Sequence, residues 1–204
     1  MATPQRMLIP ETEPKFTSED ILLLNGDEGK HYEVIEGELF VSRSPTFEHQ
    51  YSCTHLSHYL VEWNLQSQLG EVVINPGLVF ADDDDVEPDV VWISRARLVK
   101  ALDESGHFRH APELVVEVLS PGKQNEDRDR KAKLKLYSRH GVQEYWIVDW
   151  LGRQVEVYRR SRLRLRHTVT LSALERLTSP LLPGFSCQVT ALFFGWPPGR
   201  KGTL

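Results

Sequence analysis

The sequence has few cysteines and no long apolar run. Its two cysteines, Cys53 and Cys187, form neither a CxxC pair nor a disulfide framework. No apolar stretch reaches the roughly 18–20 residues that a membrane helix needs. The first ten residues lack the charged-then-apolar order of a signal peptide. We therefore expect a cytoplasmic protein with reduced cysteines and no membrane association.

Several common functional motifs are also missing. The sequence contains no Walker loop, no dinucleotide fingerprint and no serine nucleophile elbow. His55 and His58 have helical spacing, but no third ligand at suitable spacing supports a zinc site. The acidic run at residues 82–85 lacks the ligand spacing and glycine of a calcium loop, so we expect a solvated turn there.

Length and composition are those of one globular domain. The chain has 204 residues, of which 40% are hydrophobic and 26% charged, with a net charge of −5. The acidic balance argues mildly against tight non-specific DNA binding, although a local basic patch could supply it. We expect an extended arm over residues 1–15, one domain over residues 16–196 and a tail over residues 197–204.

The pattern of the chain predicts an α/β fold. Helical patterns are expected at residues 16–24, 45–69 and 125–139, and a hairpin at residues 32–41 turns at Glu36-Gly37. Further strands are expected at residues 71–74, 78–81, 89–93, 113–119, 143–149, 154–158 and 162–170. The strand-helix-strand order over residues 113–149 is typical of a right-handed crossover between parallel strands. The whole predicts a mixed central sheet flanked by helices.

Two carboxylates occupy unusual positions in these strands. Asp89 opens a strand directly after Pro88, and Glu117 lies within an otherwise apolar strand. A carboxylate on a strand buried on both faces is costly unless it is paired or binds a cation. Two carboxylates on neighbouring strands could hold Mg²⁺. The alternative is an ion pair for Glu117 and a turn-capping role for Asp89.

The helix after Glu117 places three polar side chains on one face. Asp129, Lys133 and Tyr137 are spaced i, i+4 and i+8. Lys133 could point back towards the carboxylates and stabilise negative charge during phosphodiester hydrolysis. Alternatively, Lys133 pairs with Asp129 on a solvated face, which would contribute about 0.3–0.5 kcal/mol.

An ordered set of motifs resembles one known family over residues 16–194. The matching stretches are Tyr32-Glu33, Gly37-Glu38-Leu39, Glu48-His49-Gln50, residues 87–90, residues 112–121, the Asp129, Lys133 and Tyr137 face, and residues 141–149. Together they resemble the Uma-two family of restriction-endonuclease-like proteins within the PD-(D/E)XK nuclease superfamily. This resemblance implies a restriction-endonuclease-like mixed central β-sheet, with Asp89 and Glu117 as metal ligands.

The sequence departs from the wider superfamily at one position. There the lysine follows the acidic residue by two positions, but here that position is Leu119. The resemblance implies that Lys133 on the following helix replaces it, with Lys123, Lys131 and Lys135 as lower-ranked rivals. A relocated lysine could preserve catalysis or mark a degenerate site.

Further candidates come from the first third of the chain. His49 matches a recurrent family position and could ligate metal, contact substrate or transfer a proton; its alternative is a local hydrogen bond at a helix start. Because the superfamily often completes its metal site with another acid near the N-terminus, we expect Glu38, rather than Glu33, to do so.

Four arginines recur at alternate positions near the end of the domain. In a strand they would line one face as a basic stripe able to hold a phosphate backbone, or they would form a solvated sheet face. These residues are Arg160, Arg162, Arg164 and Arg166.

The leading hypothesis is an endonuclease dependent on Mg²⁺ or Mn²⁺ that hydrolyses phosphodiester bonds in DNA. Asp89, Glu117 and Lys133 would be catalytic, and Asp129 would restrain Lys133 or face the site. The alternatives are a catalytically inactive nucleic-acid-binding module with the same fold and a structural or regulatory oligomer. A homodimer would suit an enzyme that cuts both strands.

Overall fold

A computed structural model describes residues 14–24 and 29–195 of the chain. The predicted tail, residues 197–204, and residues 1–13 of the predicted arm lie outside the described residues. Within the described part, no helix combines the length and apolarity needed to cross a membrane.

The described elements follow the predicted order closely. The α-helices are α1 (Ser18–Leu24), α2 (Phe47–Ser67), α3 (Arg95–Ala101), α4 (Lys123–Asp127) and α5 (Leu134–His140). The first six strands are β1 (Lys30–Ile35), β2 (Glu38–Arg43), β3 (Gly70–Ile74), β4 (Leu78–Ala81), β5 (Asp84–Val86) and β6 (Val90–Ser94). The last six are β7 (Leu114–Val118), β8 (Glu144–Asp149), β9 (Gln154–Ser161), β10 (Arg164–Ser172), β11 (Arg176–Thr178) and β12 (Ser186–Gln188).

A mixed six-stranded sheet forms the centre of the molecule. Its order is β10-β9-β8-β7-β6-β3. Strands β7 and β8 pair in parallel, with Leu114 beside Glu144. The other four pairs of neighbouring strands in this sheet are antiparallel. A parallel pair needs a crossover, which the helices at residues 123–140 provide. The expected mixed central sheet flanked by helices is therefore confirmed.

The central strands are buried on both faces, as their apolar sequences predict. Every residue of β7 is buried. Val116 and Val118 face a cluster that includes Leu56 and Leu60 of α2. Val115 and Tyr137 belong to a second cluster on the other face of the sheet. Glu117 shares the face of Val115 because side chains alternate along a strand.

A second sheet brings the N-terminal hairpin against helix α5. Its order is β2-β1-β5-β4. Glu36 and Gly37 form the predicted turn with φ of 55° and 83°, and both positive values suit a two-residue hairpin turn. The carboxylate of Glu36 accepts hydrogen bonds from Lys135 and Arg139 of α5. These contacts hold the hairpin close to α5, which directly follows Lys133.

The prediction of a solvated turn at residues 82–85 is wrong in part. Asp84 opens strand β5, pairs with Ile35 of β1 and is buried. Its carboxylate accepts hydrogen bonds from Arg139 and from the backbone N–H of Glu36. Strong pairing therefore stabilises a buried carboxylate in a sequence that looks like an exposed acidic run.

The helix predicted over residues 125–139 is interrupted by a wider turn. A π-helical segment, Arg128–Lys133, joins α4 to α5. Such segments are rare and occur frequently at functional sites. It carries Arg128, Asp129 and Lys133, so its irregularity lies where the chain presents charged side chains to the sheet.

Helix α3 was not predicted. Ser94 caps it by accepting a hydrogen bond from the N–H of Arg97 at 3.3 Å. Seven residues after a strand give too short a periodic pattern to be distinguished from a loop.

Candidate active site

Asp89 and Glu117 lie side by side at the carboxyl end of β7. Strands β6 and β7 pair antiparallel with Val90 beside Val116, and one further step along this register places Asp89 beside Glu117. The backbone N–H of Val118 donates to Asp89 Oδ2 at 2.7 Å. The structure therefore brings the two predicted carboxylates together.

Glu117 is held by two side chains from the following helix. Tyr137 donates its hydroxyl hydrogen to Glu117 Oε1 at 2.6 Å. Lys133 Nζ lies 2.9 Å from Glu117 Oε2. Glu117 is 2% exposed and Lys133 is 1% exposed. The predicted face of this helix thus meets the Glu117 strand in the protein interior.

Glu33 of β1, rather than Glu38 of β2, is the hairpin acid in this cluster. Glu33 Oε1 lies 2.8 Å from Lys133 Nζ and accepts the backbone N–H of Glu87 at 3.0 Å. Glu38 is exposed, on the neighbouring strand. The prediction that Glu38 would complete the site is therefore corrected. Glu38 pairs with Ile35 in the β1–β2 register, and Ile35 is two residues from Glu33, so both glutamates point to the same face of the hairpin. The alternation of side chains along the strands therefore does not distinguish them.

Asp129 and Arg128 add a further buried pair. Arg128 Nε donates to Asp129 Oδ1 at 2.9 Å, and Arg128 Nη1 lies 3.5 Å from Glu33 Oε2. Asp129 Oδ2 is buried and has no hydrogen-bond partner among the described residues. The sequence alternative of a solvated Asp129–Lys133 pair is wrong, because both side chains are buried and Lys133 contacts Glu33 and Glu117 instead.

The cluster holds more acids than bases. Its four carboxylates belong to Glu33, Asp89, Glu117 and Asp129, and its two permanent cations to Arg128 and Lys133. Burial raises the pKa of Glu117 well above its usual value, and the charges of Asp89, Asp129 and Glu33 raise it further despite Lys133. Although burial opposes ionisation of Glu33, the charges of Lys133 and Arg128 outweigh it and lower its pKa. Glu117 therefore favours its protonated, neutral form until a cation compensates the surrounding negative charge.

His49 approaches Asp89 from the first turn of α2. Thr46 caps this helix by accepting the N–H of His49 at 3.3 Å. His49 Nε2 lies 3.4 Å from Asp89 Oδ2, and its Nδ1 lies 3.6 Å from Cys53 Sγ. Although burial favours the neutral acid, the contact with His49 and the N–H of Val118 lower the pKa of Asp89. His49 therefore contacts Asp89 and Cys53, in addition to the local hydrogen bond at the helix start that was the alternative role expected for it.

The cluster opens onto a cleft of about 270 Å³. Glu33, Asp89, Glu117 and Lys133 line its base, and Arg43 and His31 are among its other lining residues. Because Asp89 Oδ1 has no hydrogen-bond partner among the described residues, a ligand in the cleft can reach a free carboxylate oxygen.

Comparison with known proteins identifies the family. The family described as "putative restriction endonuclease", Uma2, matches residues 18–190. The chain belongs to the Uma2 family. It is also similar to a crystal structure of a putative nuclease belonging to DUF820 from Anabaena variabilis, with a TM-score of 0.68 and 18% identity. That alignment covers 87% of this chain and 97% of the other, which shows a shared fold. No curated protein matches this chain.

The Uma2 chain places Lys133 where the resemblance implied a relocated lysine. Leu119, at the usual lysine position, is buried in the apolar cluster that includes Tyr137. The rival Lys131 pairs with Asp127, and Lys135 pairs with Glu36, both on the surface. The third rival, Lys123, opens α4 and lines a separate surface pocket. Lys133 alone among these four contacts Glu117 in the described structure.

Arg128 and Cys53 escaped the sequence analysis. Arg128 lies beside Asp129 in a charged stretch that resembles an ordinary exposed helix, but in the π-helical segment its side chain contacts Glu33 and Asp129. Cys53 follows His49 by four residues, a spacing that places both on one face of α2. That spacing was the signal available in the sequence.

The predicted arginine stripe is not a single strand face. The chain turns at residues 162–163 between β9 and β10, and Arg162 adopts a φ of 57°. Arg160 pairs with buried Leu165, so it faces away from the side that Arg164 and Arg166 occupy. Its guanidinium donates to the carbonyls of Val142 and Ser138 at 2.7 Å. Arg160 therefore stabilises the end of α5, a role that removes it from the stripe.

The remaining three arginines lie far from the acidic cluster. Arg162, Arg164 and Arg166 are exposed at and beside the hairpin turn. Arg159 pairs with Glu144, the first residue of β8, so the turn lies at the amino end of the parallel strands. Glu117 lies at their carboxyl end, roughly 15 Å away along the strand. These arginines can contact only nucleic acid that extends well beyond the cleft.

The two hairpin glutamates provide a matched test of the site geometry. We expect Glu33→Gln to lower the free energy of unfolding by about 1–3 kcal/mol, because it leaves Lys133 and Arg128 with less compensating charge. Glu38→Gln should change it by less than about 0.5 kcal/mol, because Glu38 is exposed. Urea denaturation of both variants measures the difference. Equal effects would contradict the assignment of Glu33 to the buried cluster.

Proposed function

We propose that this chain is an endonuclease that uses Mg²⁺ or Mn²⁺ to hydrolyse phosphodiester bonds in DNA. The observation that carries the proposal is the excess of four carboxylates over two cations in the cluster, of which Glu33, Asp89 and Glu117 line the cleft and Asp129 lies buried beside Arg128. A buried net charge of this sign is costly unless a cation compensates it. The nuclease-like family makes nucleic acid the natural substrate.

The donor set fits a hard divalent ion. Asp89 and Glu117 would hold it, since Mg²⁺ prefers oxygen ligands and usually keeps several waters. Asp89 Oδ1 is free of partners among the described residues, and Asp129 Oδ2 is a buried oxygen without one. When bound, the ion would neutralise phosphate charge and lower the pKa of a water molecule.

Lys133 and its neighbours would then position the attacking water, the substrate phosphate and the metal ligands. An ammonium group has three N–H donors, and Glu33 and Glu117 accept from two of them. The third is available to orient a water or to stabilise negative charge on a phosphate oxygen. Tyr137 fixes the orientation of Glu117, and Arg128 separates Asp129 from Glu33. His49 is placed to add a nitrogen ligand or to accept a proton beside Asp89.

A plasmid nicking assay tests the function directly. We expect purified protein to convert supercoiled DNA to the open circular form with Mg²⁺ or Mn²⁺, and EDTA to stop the reaction. The rate should rise as the pH increases from acidic to neutral, because the raised pKa of Glu117 leaves it protonated, and unable to bind a cation, at low pH.

The same assay separates the alternatives. Salt-dependent DNA binding without nicking would indicate a binding module that retains the nuclease fold. Absence of both would favour a structural or regulatory oligomer. A homodimer and a cytoplasmic location remain predictions, and light scattering of the purified protein would test the first.

A further inference from the structure

We propose that His49, Cys53 and Asp89 form a binding site for a thiophilic divalent cation of the zinc class. These three residues offer an imidazole nitrogen, a sulfur and a carboxylate oxygen, and the three ligand atoms lie within 4.8 Å of one another. The set differs from the Asp89 and Glu117 pair of the proposed nuclease site, because it contains nitrogen and sulfur.

Two elements hold the donors in place. His49 and Cys53 are one turn apart on α2 and project from the same buried face. Asp89 directly precedes β6, and its Oδ2 is anchored by the N–H of Val118 at 2.7 Å. Because a helix and a strand end fix the three backbones, only side-chain rotation is needed to converge on an ion.

The distances are close to those of a zinc site. Zinc bonds of about 2.0–2.3 Å put tetrahedral ligands roughly 3.3–3.6 Å apart. Cys53 Sγ lies 3.6 Å from His49 Nδ1, and Asp89 Oδ2 lies 3.4 Å from His49 Nε2. An ion binds only one imidazole nitrogen, and because the three ligand atoms lie within 4.8 Å of one another, the third donor must move closer by about 1.5 Å at most to reach zinc-site spacing.

The chemistry of the donors selects the cation. Sulfur and imidazole ligands favour Zn²⁺, Co²⁺ and related ions over Mg²⁺, which prefers oxygen. Three protein ligands leave a fourth position open towards the cleft that His49 and Asp89 line. Because Asp89 belongs to both donor sets, the two ions exclude one another, and zinc should inhibit the Mg²⁺-supported reaction. That inhibition rests on the proposed function, whereas the binding does not.

Cobalt titration of the full-length protein tests the site without any nuclease assay. We expect one equivalent of Co²⁺ to produce the near-ultraviolet charge-transfer band of a cobalt–thiolate bond, and Zn²⁺ to remove it. Cys53→Ser should abolish the band and weaken zinc affinity by at least about 10–100-fold. The matched control is Cys187→Ser, which changes the other buried cysteine and should retain the band.

X-ray absorption of the zinc-loaded wild-type protein gives a second test that does not depend on how a variant folds. One sulfur ligand per zinc supports the site. A ligand shell of nitrogen and oxygen only, no cobalt–thiolate band, or a band that persists in Cys53→Ser would overturn it. Lack of nicking together with a cobalt–thiolate band would refute the nuclease function and leave the zinc site supported.

Discussion

Lys133→Met will lower the free energy of unfolding by about 3–5 kcal/mol at neutral pH without divalent cations, because it removes the cation that two buried carboxylates share. Lys133 is 1% exposed and lies 2.8 Å from Glu33 and 2.9 Å from Glu117. Methionine preserves most of the volume of the side chain, so lost packing contributes little. Urea denaturation in EDTA measures the change.

The neighbouring Lys131 is the control for this prediction. Its side chain is 71% exposed and pairs with Asp127 on the surface, so Lys131→Met should change stability by less than about 1 kcal/mol. The difference in the free energy of unfolding between the wild type and Lys133→Met should also become smaller at low pH. In the wild type the lowered pKa of Glu33 contributes stability above its unfolded pKa, and this contribution is lost as the pH falls. A deficit that is the same at acidic and neutral pH would show that the ion pairs are not its cause.

The sequence predicted the central sheet well because its strands have a simple physical signature. Residues 114–118 contain one acid among four apolar residues, and residues 145–148 are wholly apolar, which indicates strands covered on both faces. The helix between them has a polar face whose members, Asp129, Lys133 and Tyr137, are all buried. An apolar strand with one acid, followed by that helix, therefore predicted which side chains would meet.

The errors share another cause, which is that buried ion pairs have the same sequence pattern as exposed charges. Asp84 looked like part of a solvated acidic run, but it is buried, and the half-exposed Arg139 pairs with it. Glu33 and Glu38 both lie on a hairpin, and only the arrival of Lys133 and Arg128 from a distant helix distinguishes them. Such pairings depend on tertiary contacts, and no local period in the sequence encodes them.

Nuclease activity should fall by at least about 10²–10³-fold in Asp89→Asn and in Glu117→Gln, a loss comparable to that from removing a preorganised charge-stabilising group. Both changes keep the shape of the side chain and remove its charge. Asn at position 89 can still accept the N–H of Val118, and Gln at position 117 can still accept the hydroxyl of Tyr137. Any loss of activity therefore reports on the missing charge, provided that the variants remain folded in circular dichroism.

Glu113→Gln is the matched control, because Glu113 directly precedes β7 at the end opposite to Glu117. Its carboxylate caps α3 through Ser94, so this variant should lose some stability while it keeps its nicking rate. Titration with Mn²⁺ supplies the complementary measurement, since Asp89→Asn and Glu117→Gln should each weaken binding and Glu113→Gln should not. Nicking that survives in both Asp89→Asn and Glu117→Gln would place the reaction elsewhere. Loss of Mn²⁺ binding in the same two variants but not in the control would locate the ion between β6 and β7, where the excess of buried negative charge lies.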